Sequence, residues 1–218
     1  MSLAHHPDAA TLMAYAAGTL DEAFSVIVAA HMSGCAQCRK AVRDAEEMGS
    51  AIAFEASDAV CDFDALMDRI DAAPKEAAVV RHPSAPVAQA TEVPVPLQRL
   101  IGLSLEDIRW RFVAPGVRKA DLSAEVTGDA ALFALKIAPG QAMPEHGHHG
   151  AEMTLILRGA YSDEYGRFAA GDVADHDADV EHTPVVDSQE PCICIVAADA
   201  LARFKNPIAR LLQPLTGI

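Results

Sequence analysis

Residues 140–159 read GQAMPEHGHHGAEMTLILRG. His146 and His148 stand two apart, so on a strand both imidazoles face one side. Glu152 follows at the head of a β-type run over 153–157. Pro139-Gly140 before the stretch and Arg158-Gly159 at its end are turn signals. Working outward, residues 110–113, 131–137 and 192–196 are further short β-type runs. Tyr165-Gly166 and Ala170-Gly171 mark turns between them. Many short strands with regular turns predict a β-sandwich or barrel after Pro96. Trp110 and Phe112 are expected in its core. Cys192 and Cys194 alternate along one strand and share a face. Two readings stand for them: redox-responsive thiols lining the barrel interior, or small buried hydrophobes.

Residues 8 to about 72 follow a different grammar. Asp8 is placed to cap a helix over 9–17, with Gly18 as its stop. Thr19-Leu20-Asp21-Glu22 reads as a capping box opening a second helix through His31. A third helix is expected from Cys35 or Ala36 toward Phe54. A fourth carries Phe63, Leu66, Met67 and Ile70 at the i, i+3, i+4, i+7 spacing of an amphipathic face. Between the two halves, Pro74, Pro83, Pro86, Pro94 and Pro96 are five of the 13 prolines. That density predicts an extended linker over 73–96.

His31, Cys35 and Cys38 follow one another at spacings of four and three. Imidazole and thiolate at this spacing suit tetrahedral Zn²⁺, which needs a fourth ligand to close a structural site. His6 is expected to supply it from just before the first helix, with its neighbour His5 as the alternative. A bundle this small gains from such a staple, because metal-binding free energy is then folding free energy. Cys61, alone before the fourth helix, is expected to be structural.

The chain has 218 residues, 17 basic and 31 acidic, for a formal charge of −14. A hydrophobic fraction of 51% with 22% charged residues excludes global disorder. The acidic balance argues against counterion-driven nucleic-acid binding and against an anionic membrane surface. No apolar run reaches the roughly 20 residues of a membrane span, and the first residues hold no secretory h-region. The expected location is the cytoplasm, where a Cys-x-x-Cys pair reads as metal or redox chemistry.

The stretch opened with resembles cupin motif 1 (G-x5-H-x-H-x3–4-E-x6-G) at Gly140, His146, His148, Glu152 and Gly159. Motif 2 is met in spacing by Gly171 and His182, while Asp177, Asp179 and Val186 replace its inner proline, glycine and asparagine. The resemblance implies a metal bound by His146, His148, Glu152 and His182. This set suits Zn²⁺ first, with Mn²⁺ or Fe²⁺ as alternatives. His149 and Glu145 are the neighbours one register away. His82 and His176 are expected to be solvated loop histidines. The acidic cluster Asp172, Asp175, Asp177, Asp179 and Glu181 lacks EF-hand spacing and is expected to be a solvated loop.

His31-x3-Cys35-x2-Cys38 after an upstream histidine and short helices resembles the zinc-binding anti-sigma domain. Joined to a cupin, the whole chain resembles the ChrR family of cytoplasmic anti-sigma factors. His5-His6-Pro7-Asp8, residues 14–20, Glu181-His182-Thr183-Pro184 and the late cysteine pair all share in this resemblance. It implies an α+β two-domain protein. A zinc-bound helical bundle over 1–72 would be followed by the linker and by an all-β cupin, a double-stranded β-helix or jelly roll, over 97–218. It further implies a non-enzymatic regulator whose partner is an extracytoplasmic-function sigma factor. The helical domain would inhibit; the amphipathic face of Phe63, Leu66, Met67 and Ile70 is expected either to bind a groove of the partner or to pack on its own bundle. The cupin would respond to singlet oxygen or peroxides. The competing expectation is a metal-dependent dioxygenase or isomerase with a zinc-stapled appendage.

Overall fold

The computed structural model describes residues 3–55, 62–73 and 91–207. Cys61, His82 and most of the expected linker lie outside them. Helix α1 spans Ala9–Ala16, and the Asp8 carboxylate accepts the Thr11 N–H at its start. Gly18 follows at φ +67°, the left-handed conformation that lets the chain turn away. Helix α2 spans Glu22–Gly34, three residues beyond the expected end. Its cap is Asp21 rather than Thr19: the Asp21 carboxylate accepts the Ala23 N–H. Thr19 Oγ1 instead donates back to Ala14 O. Asp21 wins the cap because its second oxygen also accepts the Asp129 N–H from the β domain. Helices α3 (Ala36–Glu55) and α4 (Phe63–Ala72) complete the N-terminal set.

The proline-rich stretch does not stay extended to Pro96. Helix α5 spans Val95–Ile101 with Pro96 in its first turn, where a missing N–H costs nothing. Val93 and Leu97 are fully buried, so burial of the apolar side chains around Pro94 overrides the linker signal.

Among the described residues twelve strands follow: β1 (Arg111–Ala114), β2 (Val117–Asp121), β3 (Ala131–Ile137), β4 (His146–Gly147), β5 (Glu152–Arg158), β6 (Ala160–Asp163), β7 (Gly166–Ala169), β8 (Val173–His176), β9 (Glu181–His182), β10 (Val185–Val186), β11 (Cys192–Ala198) and β12 (Arg203–Phe204). They form a six-stranded sheet in the order β1-β2-β3-β11-β5-β8 and two three-stranded sheets, β10-β6-β7 and β12-β4-β9. Period-two alternation sends successive side chains of the large sheet into two different cores. From β11, Ile193, Ile195 and Ala197 join a core with Phe24, Ile27 and Val28 of α2 and Leu97 of α5. Cys192, Cys194 and Val196 face the other way, with Phe133, Leu135 and Tyr161. The central strands β3, β11 and β5 are thus buried on both faces, one under helices and one inside the barrel.

Trp110 is half-buried against the helical core, but Phe112 is exposed, contrary to expectation. β1 is the outer strand of its sheet, and among the described residues no further layer covers Phe112 there.

Polar contacts at the rim of the helix–sheet interface converge on Glu22. Its carboxylate accepts from Thr127 N–H (2.7 Å) and Oγ1 (2.6 Å) and pairs with Arg99 (2.7 Å). These bonds to Thr127 and then the Arg99 charge pull the Glu22 pKa from 4.5 down to about 2. A carboxylate held low contributes stability above its unfolded pKa and loses it as pH falls toward the folded value. The expected outcome is a melting temperature that falls between pH 4.5 and 2 less steeply in Glu22→Gln than in the wild type, checked by calorimetry across that range.

Candidate metal centres

Three segments build the first centre. The last turn of α2 supplies His31, the break between α2 and α3 supplies Cys35, and the first turn of α3 supplies Cys38. All three are buried. Cys35 has extended φ/ψ, and its Sγ accepts the Cys38 N–H at 3.4 Å. The head of α3 therefore presents its positive dipole end to the sulfurs, which favours thiolate. His6 enters from the arm before α1. Its Nδ1 lies 3.3 Å from His31 Nε2 and 3.4 Å from each sulfur. Bonds of about 2.0 Å to nitrogen and 2.3 Å to sulfur, set tetrahedrally, separate donors by about 3.3–3.8 Å. The spacing fits, and the donor set is consistent with zinc. His5 turns elsewhere, its ring 4.2 Å from that of Phe168.

Burial lowers the His31 pKa and so favours the neutral ring that ligation requires. Burial and the neighbouring Cys35 push Cys38 up to about 12. A thiol this reluctant to ionise alone becomes a thiolate only beside a cation, so metal uptake releases protons here.

The second centre lies inside the barrel. His146 and His182 are cross-strand partners in the β4–β9 pair, and Glu152 and His176 are partners in the β5–β8 pair. The Pro144 carbonyl can only accept, so His146 Nδ1 carries the proton at 2.8 Å and turns Nε2 inward. That Nε2 lies 3.2 Å from His182 Nε2. On its far side His182 Nδ1 donates to Asp163 Oδ2 at 2.8 Å, and the Asp163 side chain is fully buried. His148 Nδ1 lies 3.2 Å from Glu152 Oε2, while His148 Nε2 is buried without a hydrogen-bond partner. Two aprotic nitrogens face each other beside a carboxylate and an unsatisfied imidazole, an arrangement that a divalent cation would satisfy. His146, His148, Glu152 and His182 bring their donor atoms within 4.8 Å of one another. His149 is exposed, and Glu145 pairs with Lys205 instead.

Two expectations about the surroundings are overturned. His176 is not a solvated loop histidine: it is buried at the end of β8, its ring centroid 4.9 Å from that of His182. Burial, then the adjacent His182, lower its pKa to about 4. Asp172 is also buried rather than solvated. Asp163 was not singled out from sequence at all. Its one available signal is the Asp-x-x-Gly turn, since Oδ1 also accepts the Tyr165 and Gly166 N–H groups.

Cys192 and Cys194 point into the barrel, and Cys194 lines the cavity shared with His146, Glu152 and Tyr161. The hydrogen bond to Cys192 and complete burial raise the Cys194 pKa far above its ordinary value, which makes it a poor nucleophile. On α4 no residue is buried; Phe63, Leu66, Met67 and Ile70 are 66, 41, 39 and 55% exposed.

The family described as the ChrR cupin-like domain matches residues 98–202, a span that includes the whole second centre. The chain is 39% identical over 214 residues to the anti-sigma-E factor ChrR of Cereibacter sphaeroides, covering 98% of each. The chain belongs to the ChrR family. A crystal structure of Rhodobacter sphaeroides SigE in complex with the anti-sigma ChrR is similar at 38% identity with a TM-score of 0.75. That match covers 91% of this chain and all of that one. The ChrR-type architecture of helices followed by a cupin is thus present from end to end. Among the described residues, no helix is long and apolar enough to cross a membrane.

Asp163 orients His182 from outside the ligand set, and removing such a partner typically weakens a metal site 10–100-fold. Asp163→Ala should therefore lower metal affinity of the cupin centre by about 10-fold or more, measured by competition with a chromophoric chelator, and leave the cysteine centre loaded.

Proposed function

We propose that this chain is an anti-sigma factor that sequesters an extracytoplasmic-function sigma factor in the cytoplasm. It would release that factor when an oxidant of the singlet-oxygen or peroxide type alters the cupin centre. The observation that carries this reading is near-complete similarity to an anti-sigma factor whose relative was crystallised with SigE. Zn²⁺ is held by His6, His31, Cys35 and Cys38. A second ion, Zn²⁺ before Mn²⁺ or Fe²⁺, is held by His146, His148, Glu152 and His182.

Physical features of the helical half support the reading. A ten-residue helix is marginal by itself in water, and α4 buries none of its apolar face in the chain described here. Met48, Ile52 and Phe54 of α3 are also exposed. Such faces suit helix-in-groove docking on a protein partner. Residues 1–80 carry eight of the fourteen net negative charges, which favours fast association with the basic, polymerase- and promoter-facing surfaces of a sigma factor. Zinc, when bound, supplies a crosslink. His31, Cys35 and Cys38 then fix the angle between α2 and α3, and His6 ties the arm to both. At the cupin centre, the high pKa of Cys194 puts the metal shell ahead of that thiol in line for an oxidant.

Co-expression with the sigma factor encoded beside it, followed by gel filtration and metal counting, tests the proposal. A one-to-one complex with about one metal per domain is expected. Cys35→Ser or Cys38→Ser should lose both the first metal and the complex. Phe63→Asp with Ile70→Asp should weaken binding by about 30-fold or more, the scale of a lost interface hot spot. His182→Ala should keep the complex and lose its oxidant response. Absence of any complex with the wild-type chain would overturn the reading.

A further inference from the structure

The cysteine centre is not built by the helical half alone. His31 is a candidate ligand through Nε2, and its Nδ1 donates at 2.8 Å to the carbonyl of Gly171, in the β7–β8 turn of the cupin. That bond fixes the ring's tautomer and its plane. The next residue holds the arm that delivers His6. Asp172 Oδ1 accepts the N–H groups of Ala4 (2.8 Å) and His5 (3.1 Å), while Oδ2 accepts the Ala169 N–H and closes its own turn. β8 continues the grip: Val173 N–H donates to His5 O, and Asp175 Oδ2 accepts the Asp8 N–H. The arm also lies close over the turn. A Cβ at Gly171, which sits at φ +93°, would come within 2.6 Å of Leu3 Cδ2. One cupin segment thus orients one nitrogen ligand and anchors the backbone bearing the other.

We propose that Gly171 and Asp172 of the cupin are positioning residues of the N-terminal zinc centre, so that the cupin sets how tightly that centre holds its metal. The proposal rests on His6, His31, Cys35 and Cys38 being the zinc ligands. Hydrogen-bond partners behind metal-bound histidines fix orientation and raise ligand basicity, and their loss costs about 10–100-fold in affinity. Here the partner behind His31 comes from a domain 140 residues away in sequence. Movement of β8 would therefore reach the zinc through both histidines at once, while the two cysteines stay with α3.

The full-length chain loaded with Co²⁺ provides the test, because thiolate-to-cobalt charge transfer reports only the centre containing Cys35 and Cys38. The decay of that band after addition of EDTA is the readout. Asp172→Ala should speed it about 10-fold or more. Asp172→Asn, which keeps an oxygen for the Ala4 and His5 N–H groups, should restore most of the retention. Ala4→Pro removes one donor without touching the cupin turn and should also speed the decay, and it decides the matter if Asp172→Ala fails to fold. Wild-type decay in the folded variants would overturn the proposal. A wild-type band that Cys35→Ser leaves unchanged would instead overturn the assignment of the ligands, and the proposal with it.

Discussion

Burial of the central strands of the six-stranded sheet on both faces is the constraint on which the molecule depends. In β11 every side chain is buried, because alternate residues serve different cores. A strand of this kind tolerates no slip: a shift by one residue would put Ile193 and Ile195 into the metal cavity and the cysteines under α2. The same register sets Glu152 and Thr154 of β5 facing inward while Met153 and Leu155 pack under the helices. Correct placement of the candidate ligands is therefore a by-product of packing the helical half onto the sheet. Conversely, the helices are held where His31 meets Gly171 by apolar burial that has nothing to do with metal.

Much of this was legible in the residues. Short spacings carry local geometry, so the two candidate clusters could be read off His31-x3-Cys35-x2-Cys38 and His146-x-His148-x3-Glu152. In the structure each set comes together around a common point. Strand runs with strong β character, such as 131–137, were placed with their observed bounds. What escaped depended on contacts between distant segments. Thr19 and Asp21 are both good caps in isolation; only the β-domain loop at Asp129 favours the second. Prolines at 94 and 96 signal an extended chain until Val93 and Leu97 find a core to enter. His176 and Asp172 lie in a run of charges that reads as solvent-facing, yet one packs beside His182 and the other binds the arm. Phe112 erred the other way, since no local pattern announces that a strand will be an edge.

The two centres also differ in what surrounds them. At the cysteine centre, the Cys38 thiol resists ionisation by itself, so in the absence of a cation it stays uncharged. At the cupin centre, Glu152 and Asp163 are buried carboxylates whose partners are imidazoles. Those imidazoles hold both carboxylates below their ordinary pKa, so the buried negative charge persists whether or not a cation is bound. The barrel centre is thus the one at which a change of ligation most disturbs its neighbours, among them Tyr161, Cys194 and His176.

The arm over residues 3–8 does one thing more. β8 is the last strand of its sheet, and an open last strand offers unpaired N–H and C=O groups to any passing chain. His5 O caps the Val173 N–H, and the arm's own N–H groups occupy the Asp172 and Asp175 carboxylates along that border. The arm therefore guards a sheet margin as well as carrying His6, and a chain lacking residues 3–8 would bare the border of β8.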